Sequence, residues 1–154
     1  MTNGATLTMI GGSINTNTIS PLGAPDETNA GGAMGGGVYI ITGATMTMSD
    51  GTINNNIVSA TSSTAGLAEG GGLYIYTSGN FTMTGGAISG NSTFASAGIS
   101  AGGGIFSYGN MTLDGGSITT NRCEGVLTVI KMGGGISIPN PHRKLDIYKI
   151  KIKN

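Results

Sequence analysis

Residues 70–91 read GGGLYIYTSGNFTMTGGAISGN, and residues 102–121 read GGGIFSYGNMTLDGGSITTN. Both follow one plan: a triple glycine, a short apolar run, a turn, an alternating run, a third short run and a closing asparagine. Working outward, GGGVYI from Gly35 leads into ATMTMSDGTINNN at 44–56. ATLTMIGGSINTN at 5–17 is the second half of a unit, and GGGISI from Gly133 is the first half of another. The four second halves start 39, 35 and 30 residues apart. Self-similarity at such spacings is the signature of a stacked repeat protein.

Inside each unit the hydrophobic period is 2. Phe81-Thr82-Met83-Thr84 and Met46-Thr47-Met48-Ser49 alternate apolar and polar residues, which places the apolar set on one face of a strand. No stretch carries a capped helical stripe. Three strands of a few residues cannot bury a face alone, but coils stacked in parallel can. At about 4.8 Å per coil, roughly four coils span about 20 Å. The predicted fold is therefore all-β: a parallel β-helix (solenoid) of about four coils of three short strands, with loops leaving one edge.

Aligning the units gives five inward columns. They are Leu7/Met46/Phe81/Met111, Met9/Met48/Met83/Leu113, Ile14/Ile53/Ile88/Ile118, Val38/Leu73/Ile105/Ile136 and Ile40/Ile75/Ser107/Ile138. A sixth column, Asn17/Asn56/Asn91/Asn121, reads as an asparagine ladder at a corner, where amides tolerate left-handed geometry and bond coil to coil. The glycines read as corners too. The segments 18–34, 57–69, 92–101 and 122–132 differ in length and read as loops, a common place for a repeat protein to bind.

Composition agrees and narrows the function. Of 154 residues 30 are glycine and only 9% are charged, with seven basic residues against seven acidic. Glycine does not recur every third position, so collagen is excluded. Zero net charge argues against an electrostatic nucleic-acid partner. The longest apolar run, Val126 to Met132, contains Thr128 and Lys131 and is too short for a transmembrane helix. Residues 1–138 are assigned to the β-helix. Residues 139–154, PNPHRKLDIYKIKIKN, hold five of the seven basic residues and are read either as a lysine-guarded cap strand or as a tail outside the fold. Residue 1 falls in mid-unit with no leader pattern, and the expectation is a piece of a longer protein.

The phrases quoted from Gly70 and Gly102 resemble the repeats of large bacterial surface proteins with a right-handed parallel β-helix, and the resemblance implies that handedness here. GGAI at Gly85 and GGSI at Gly11 and Gly115 are similar to one hallmark of polymorphic outer-membrane protein repeats. The second hallmark, phenylalanine with asparagine three residues on, is absent: Phe81, Phe94 and Phe106 precede Thr84, Ala97 and Gly109. The resemblance to adhesin-like, pectin-lyase-like β-helices covers residues 5–138. It implies surface display or secretion and a role in adhesion to host proteins or glycans. It fixes no ligand.

Polysaccharide lyases and hydrolases share that shape, so carboxylates were sought. Asp50 and Asp114 fall two coils apart in different columns, and Asp26 and Glu27 share one loop. No opposed pair emerges, and the expectation is a non-catalytic chain without catalytic residue, cofactor or metal. Its rival is a fragment of a polysaccharide-active enzyme whose catalytic coils lie elsewhere. Thr8/Thr47/Thr82/Thr112 make one threonine column, but its neighbours change from coil to coil, which breaks the two-column lattice of an ice-binding face. Cys123 is the single cysteine and His142 the single histidine, a weak basis for a catalytic pair. The best candidate ligand contacts are Tyr39, Tyr74 and Phe106, an outward aromatic column on the strand after the triple glycine. Two readings stand for it: stacking on a ligand, or stacking that stabilises the sheet under a covering segment.

Overall fold

A computed structural model describes residues 1–20, 32–61, 66–126, 129–139 and 144–153. It is a parallel β-solenoid of about three turns, and no helix occurs among the described residues. The first coil supplies β1 (Thr6–Asn15), β2 (Thr18–Ile19) and β3 (Gly32–Met34). The second supplies β4 (Val38–Ile40), β5 (Thr45–Asn54), β6 (Ile57–Ala60) and β7 (Gly66–Glu69). The third runs β8 (Leu73–Ile75), β9 (Asn80–Met83), β10 (Ala87–Ser89), β11 (Ser92–Ala95) and β12 (Gly98–Ala101). The fourth runs β13 (Ile105–Ser107), β14 (Asn110–Leu113), β15 (Ser117–Thr119), β16 (Arg122–Gly125) and β17 (Ile130–Met132). The last is β18 (Ile136–Ser137), β19 (Leu145–Ile147) and β20 (Lys151–Lys153).

These strands stack into four parallel sheets. Sheet A has eight strands, from β1 through β5 to the pairs β9/β10, β14/β15 and β19/β20. Sheet B stacks β2, β6, β11 and β16; sheet C stacks β3, β7, β12 and β17; sheet D stacks β4, β8, β13 and β18. Thus the segments expected as loops hold two further strands each. They escaped a period-2 reading because their buried side chains are small: Ala60, Ala68, Ala95 and Ala101 barely register as an apolar pattern. Most of the length difference between coils falls in the connections from sheet B to sheet C, and the β13–β14 connection is also two residues shorter than β4–β5 and β8–β9.

The inward columns pair as the alignment places them. Leu7, Met46, Phe81 and Met111 are in register, as are Met9, Met48, Met83 and Leu113, and Ile14, Ile53, Ile88 and Ile118. One local departure is an irregularity between β1 and β5, where Ile10 stands opposite Asp50 instead of Ser49. The main core lies between sheets A and D and fully buries Phe81, Met46, Met83, Ile75 and Ile105. Each such side chain contributes about 1.5–3 kcal/mol. Methionine fills the irregular gaps between unlike rungs. A second, small-residue core of Val58, Ala60, Ala68 and Ala95 joins sheets B and C.

Two polar devices lock the coils together. Asn17, Asn56, Asn91 and Asn121 form a ladder in which each Nδ2 donates to the Oδ1 of the next rung at 2.9 Å. The backbone N–H groups of Asn17, Asn56 and Asn91 donate to the same oxygens, and the buried amides also donate to Ile14, Ile53 and Ile88 carbonyls. The left-handed turn falls one residue earlier than expected, at Thr16, Asn55, Gly90 and Thr120. This is a correction with a simple cause, since an amide held in a ladder needs ordinary extended backbone beneath it. The second device is the triple glycine. Gly35, Gly70, Gly102 and Gly133 adopt φ of 71°, 66°, 59° and 57°, and a Cβ on Gly104 would stand 2.8 Å from the Asn121 amide nitrogen. The glycine column is thus the wall against which the ladder is packed.

Within residues 139–154, β19 pairs with β14 and β20 with β15, so Leu145, Ile147 and Ile152 extend three of the columns by one rung. Lys144 pairs with Asp146 at 3.0 Å, and Lys151 and Lys153 flank Ile152 on the exposed edge. His142 and Arg143 lie outside the described residues.

Candidate functional site

Sheets C and D meet at the triple-glycine corner, and the outer face of sheet D turns toward one face of sheet C. On sheet D the outward column is Tyr39, Tyr74, Phe106 and Ser137, in register on β4, β8, β13 and β18. On sheet C the facing column is Met34, Glu69, Ala101 and Met132, on β3, β7, β12 and β17. The apolar and aromatic members of the two columns share one cluster with Ile99 and Tyr108. The corner is therefore a packed seam running along the stack, a groove whose floor is filled by its own side chains.

The rings in it are ordered. Tyr39 and Tyr74 stack with centroids 4.8 Å apart and planes 10° off parallel, and Tyr74 and Phe106 stack at 5.5 Å. Tyr108 sits edge-on to Phe106 at 5.1 Å, and Tyr76 stacks on Tyr74 at 6.5 Å. Offset and edge-to-face pairs of this kind add to the stabilisation from burial alone.

The ladder is not open to solvent along its length. Tyr74 is 2% exposed and Phe106 1%, because sheet C covers them, whereas Tyr39 is half-buried. Of the candidates Tyr39, Tyr74 and Phe106, Tyr39 alone keeps partly open ring surface. The covering segment was the part of each coil expected as loop. The accessible aromatic surface is instead Tyr39 with Tyr76, 44% exposed, and the half-buried Tyr108. Tyr76 and Tyr108 stand two residues beyond Tyr74 and Phe106, so the period of a strand already put them on the same side.

Glu69 is the unexpected member. It is 6% exposed, and its column neighbours Met34 and Ala101 are both packed on the aromatic cluster. Its backbone carbonyl accepts from Gly35 N–H at 3.0 Å. Among the described residues, no hydrogen bond or ion pair reaches its carboxylate; the two ion pairs are Arg122–Glu124 and Lys144–Asp146. Burial pushes the Glu69 carboxyl above the usual carboxylate range. Desolvation also raises Tyr39, Tyr74 and Tyr108, and the nearby Glu69 charge raises each of them further. A buried carboxylate with no partner is costly, and such groups mark sites more often than scaffolds.

The other sequence candidates do not assemble. The Cys123 thiol donates to the Met132 carbonyl at 3.3 Å, and His142 lies outside the described residues. Asp26 and Glu27 also lie outside them. Asp50 lies on β5 of sheet A, Asp114 directly after β14, and Glu124 on β16 of sheet B, none of them on the groove's facing columns. No group of three His, Cys, Asp or Glu side chains gathers in a metal-binding arrangement among the described residues. In the same set, no helix is long and apolar enough to cross a membrane. Comparison with protein-family models, curated protein sequences and solved structures finds no match to this chain.

Proposed function

We propose that this chain is a segment of a non-catalytic stalk or adhesin, displayed on a bacterial surface or secreted, that holds a binding groove on a rigid rod. The observation that carries this reading is the groove between sheets C and D. Buried Tyr74 and Phe106 form a stacked base, and Tyr39, Tyr76 and Tyr108 offer partly open ring surface above it. Rings fixed by stacking lose little entropy when a sugar ring or an apolar side chain of a host protein settles on them. Repetition of the coil gives the rod its stiffness. The test is adhesion of the purified chain to immobilised glycans and host cells. Tyr76→Ala should lower it several-fold with an unchanged circular dichroism spectrum, and unchanged adhesion would remove the groove from the account.

One observation favours a second reading, a fragment of a polysaccharide-active enzyme. A lone carboxyl raised by burial beside aromatic rings is the environment of a general acid. Release of reducing ends from a polysaccharide panel, abolished by Glu69→Gln, would establish it over the adhesin.

A further inference from the structure

The asparagine ladder shows how this molecule treats buried polar atoms when they serve the fold: the inner rungs Asn56 and Asn91 are bonded on both sides. Glu69 departs from that rule. The residue is 6% exposed, stands in the column between Met34 and Ala101, whose side chains pack on the ring cluster, and its carboxylate has no donor or cation among the described residues. What the groove lacks is a positive charge. What it offers around that gap is the partly open rings of Tyr39, Tyr76 and Tyr108, the faces of Tyr74 being taken by Tyr39 and Phe106.

We infer that the groove between sheets C and D is a binding site for an alkylammonium cation, which Glu69 neutralises and the tyrosine rings enclose. The ammonium cation supplies the charge complement that a lysine or water would otherwise provide to the carboxylate. Ring faces attract an ammonium group through their quadrupole, most strongly where water is excluded. A strongly hydrated metal ion fits less well, because Glu69 is the only carboxylate on the groove's facing columns and the other walls are methionine, alanine and phenol. The inference deepens the groove reading above and rests on the groove being open to ligands.

The groups facing Glu69 define its pH dependence. They are Tyr39 on β4, Tyr74 on β8 and Tyr108 beyond β13, with uncharged Met34 and Ala101 in its own column. Tyr39, Tyr74 and Tyr108 are held above the ordinary phenol value and stay neutral from pH 5 to 8. Glu69 is thus the group expected to gate binding in that window, with affinity falling as it is protonated.

The experiment is a titration of the full chain with tetramethylammonium chloride, whose charge does not change with pH, against its uncharged isostere tert-butanol. Ring-proton chemical shifts report the site. Saturable binding of tetramethylammonium, none of tert-butanol, and affinity that weakens as pH falls from 8 to 5 are expected. Glu69→Gln should weaken binding by about tenfold or more, and Tyr76→Ala by several-fold. Tyr76 is exposed, so that variant and the wild-type pH profile carry the test even if Glu69→Gln misfolds. Absence of saturable binding, equal binding of tert-butanol, or affinity indifferent to pH and to Glu69→Gln would overturn the inference. If Tyr76→Ala lowers neutral-glycan or cell adhesion while tetramethylammonium does not bind, the cation site falls and the groove reading stands.

Discussion

The asparagine corner and the Glu69 groove flank the same triple-glycine turn and bury polar atoms in opposite ways. At the corner, Asn56, Asn91 and Asn121 are 0%, 0% and 3% exposed, and each amide is bonded to the neighbouring coils. In the groove, Glu69 is buried to a similar degree with nothing to receive its charge. The first arrangement converts buried polarity into register, because a coil shifted by one residue would orphan every rung. The second converts it into an unmet demand. That contrast separates a scaffold from a site without any appeal to what resembles the chain.

The contrast breaks most visibly at the ladder. Asn91→Ala would orphan the Asn56 N–H, take one of two acceptors from the Asn56 Nδ2, and remove the Nδ2 donors to the Ile53 carbonyl and the Asn121 Oδ1, the last keeping only the backbone N–H of residue 91. At about 1–3 kcal/mol for each unsatisfied group, the expected loss is about 3–5 kcal/mol after partial rescue by water. Urea unfolding checks this, and a loss below about 1 kcal/mol would show that the ladder is ornamental. Next comes the glycine wall. Gly71→Ala puts a Cβ 2.6 Å from the Ser92 carbonyl oxygen and against the Gly103 carbonyl, both of them backbone atoms that cannot swing away. A loss of about 2–4 kcal/mol is expected in the same assay.

On the groove side the expected effects are smaller, and one has the opposite sign. Glu69→Met places a side chain like Met34 and Met132 in their own column and removes the unpaired charge. It should stabilise the fold at neutral pH by about 1–2 kcal/mol, since apolar replacement of an uncompensated buried charge is favourable. Tyr76→Ala, at an exposed ring, should change stability by no more than about 0.5–1 kcal/mol while reducing binding. If it proves as damaging as Asn91→Ala, Tyr76 belongs to the scaffold and the contrast fails.

The scaffold side of this comparison was legible in the sequence and the groove only in part. Leu73, Phe81 and Ile88 announce their faces because large apolar residues alternate with threonine and serine over a repeated unit. The ladder was readable because asparagine recurs at one place in units of unequal length. Sheets B and C were not, since Ala60, Ala68 and Ala95 are buried without looking apolar in a run rich in serine and glycine. That omission hid the rest. Without sheet C, Tyr74 and Phe106 look exposed, and Glu69 looks like a solvated loop acid. Tyr76 and Tyr108 were visible by strand period, but only the covering sheet makes them the accessible members.

The most direct test of the central claim, that the buried carboxylate is unpartnered where the buried amides are not, is unfolding free energy against pH for the wild type and Glu69→Met. A carboxyl whose folded value lies above its unfolded one adds stability that is fully present below the unfolded value and disappears as pH rises through the folded one. The wild type should therefore lose stability relative to Glu69→Met as pH rises from about 4 through the raised Glu69 range, leaving the variant more stable at neutral pH. A Glu69→Met protein less stable than wild type at pH 7, with a pH-independent difference, would mean that Glu69 is a satisfied structural residue and would contradict the account.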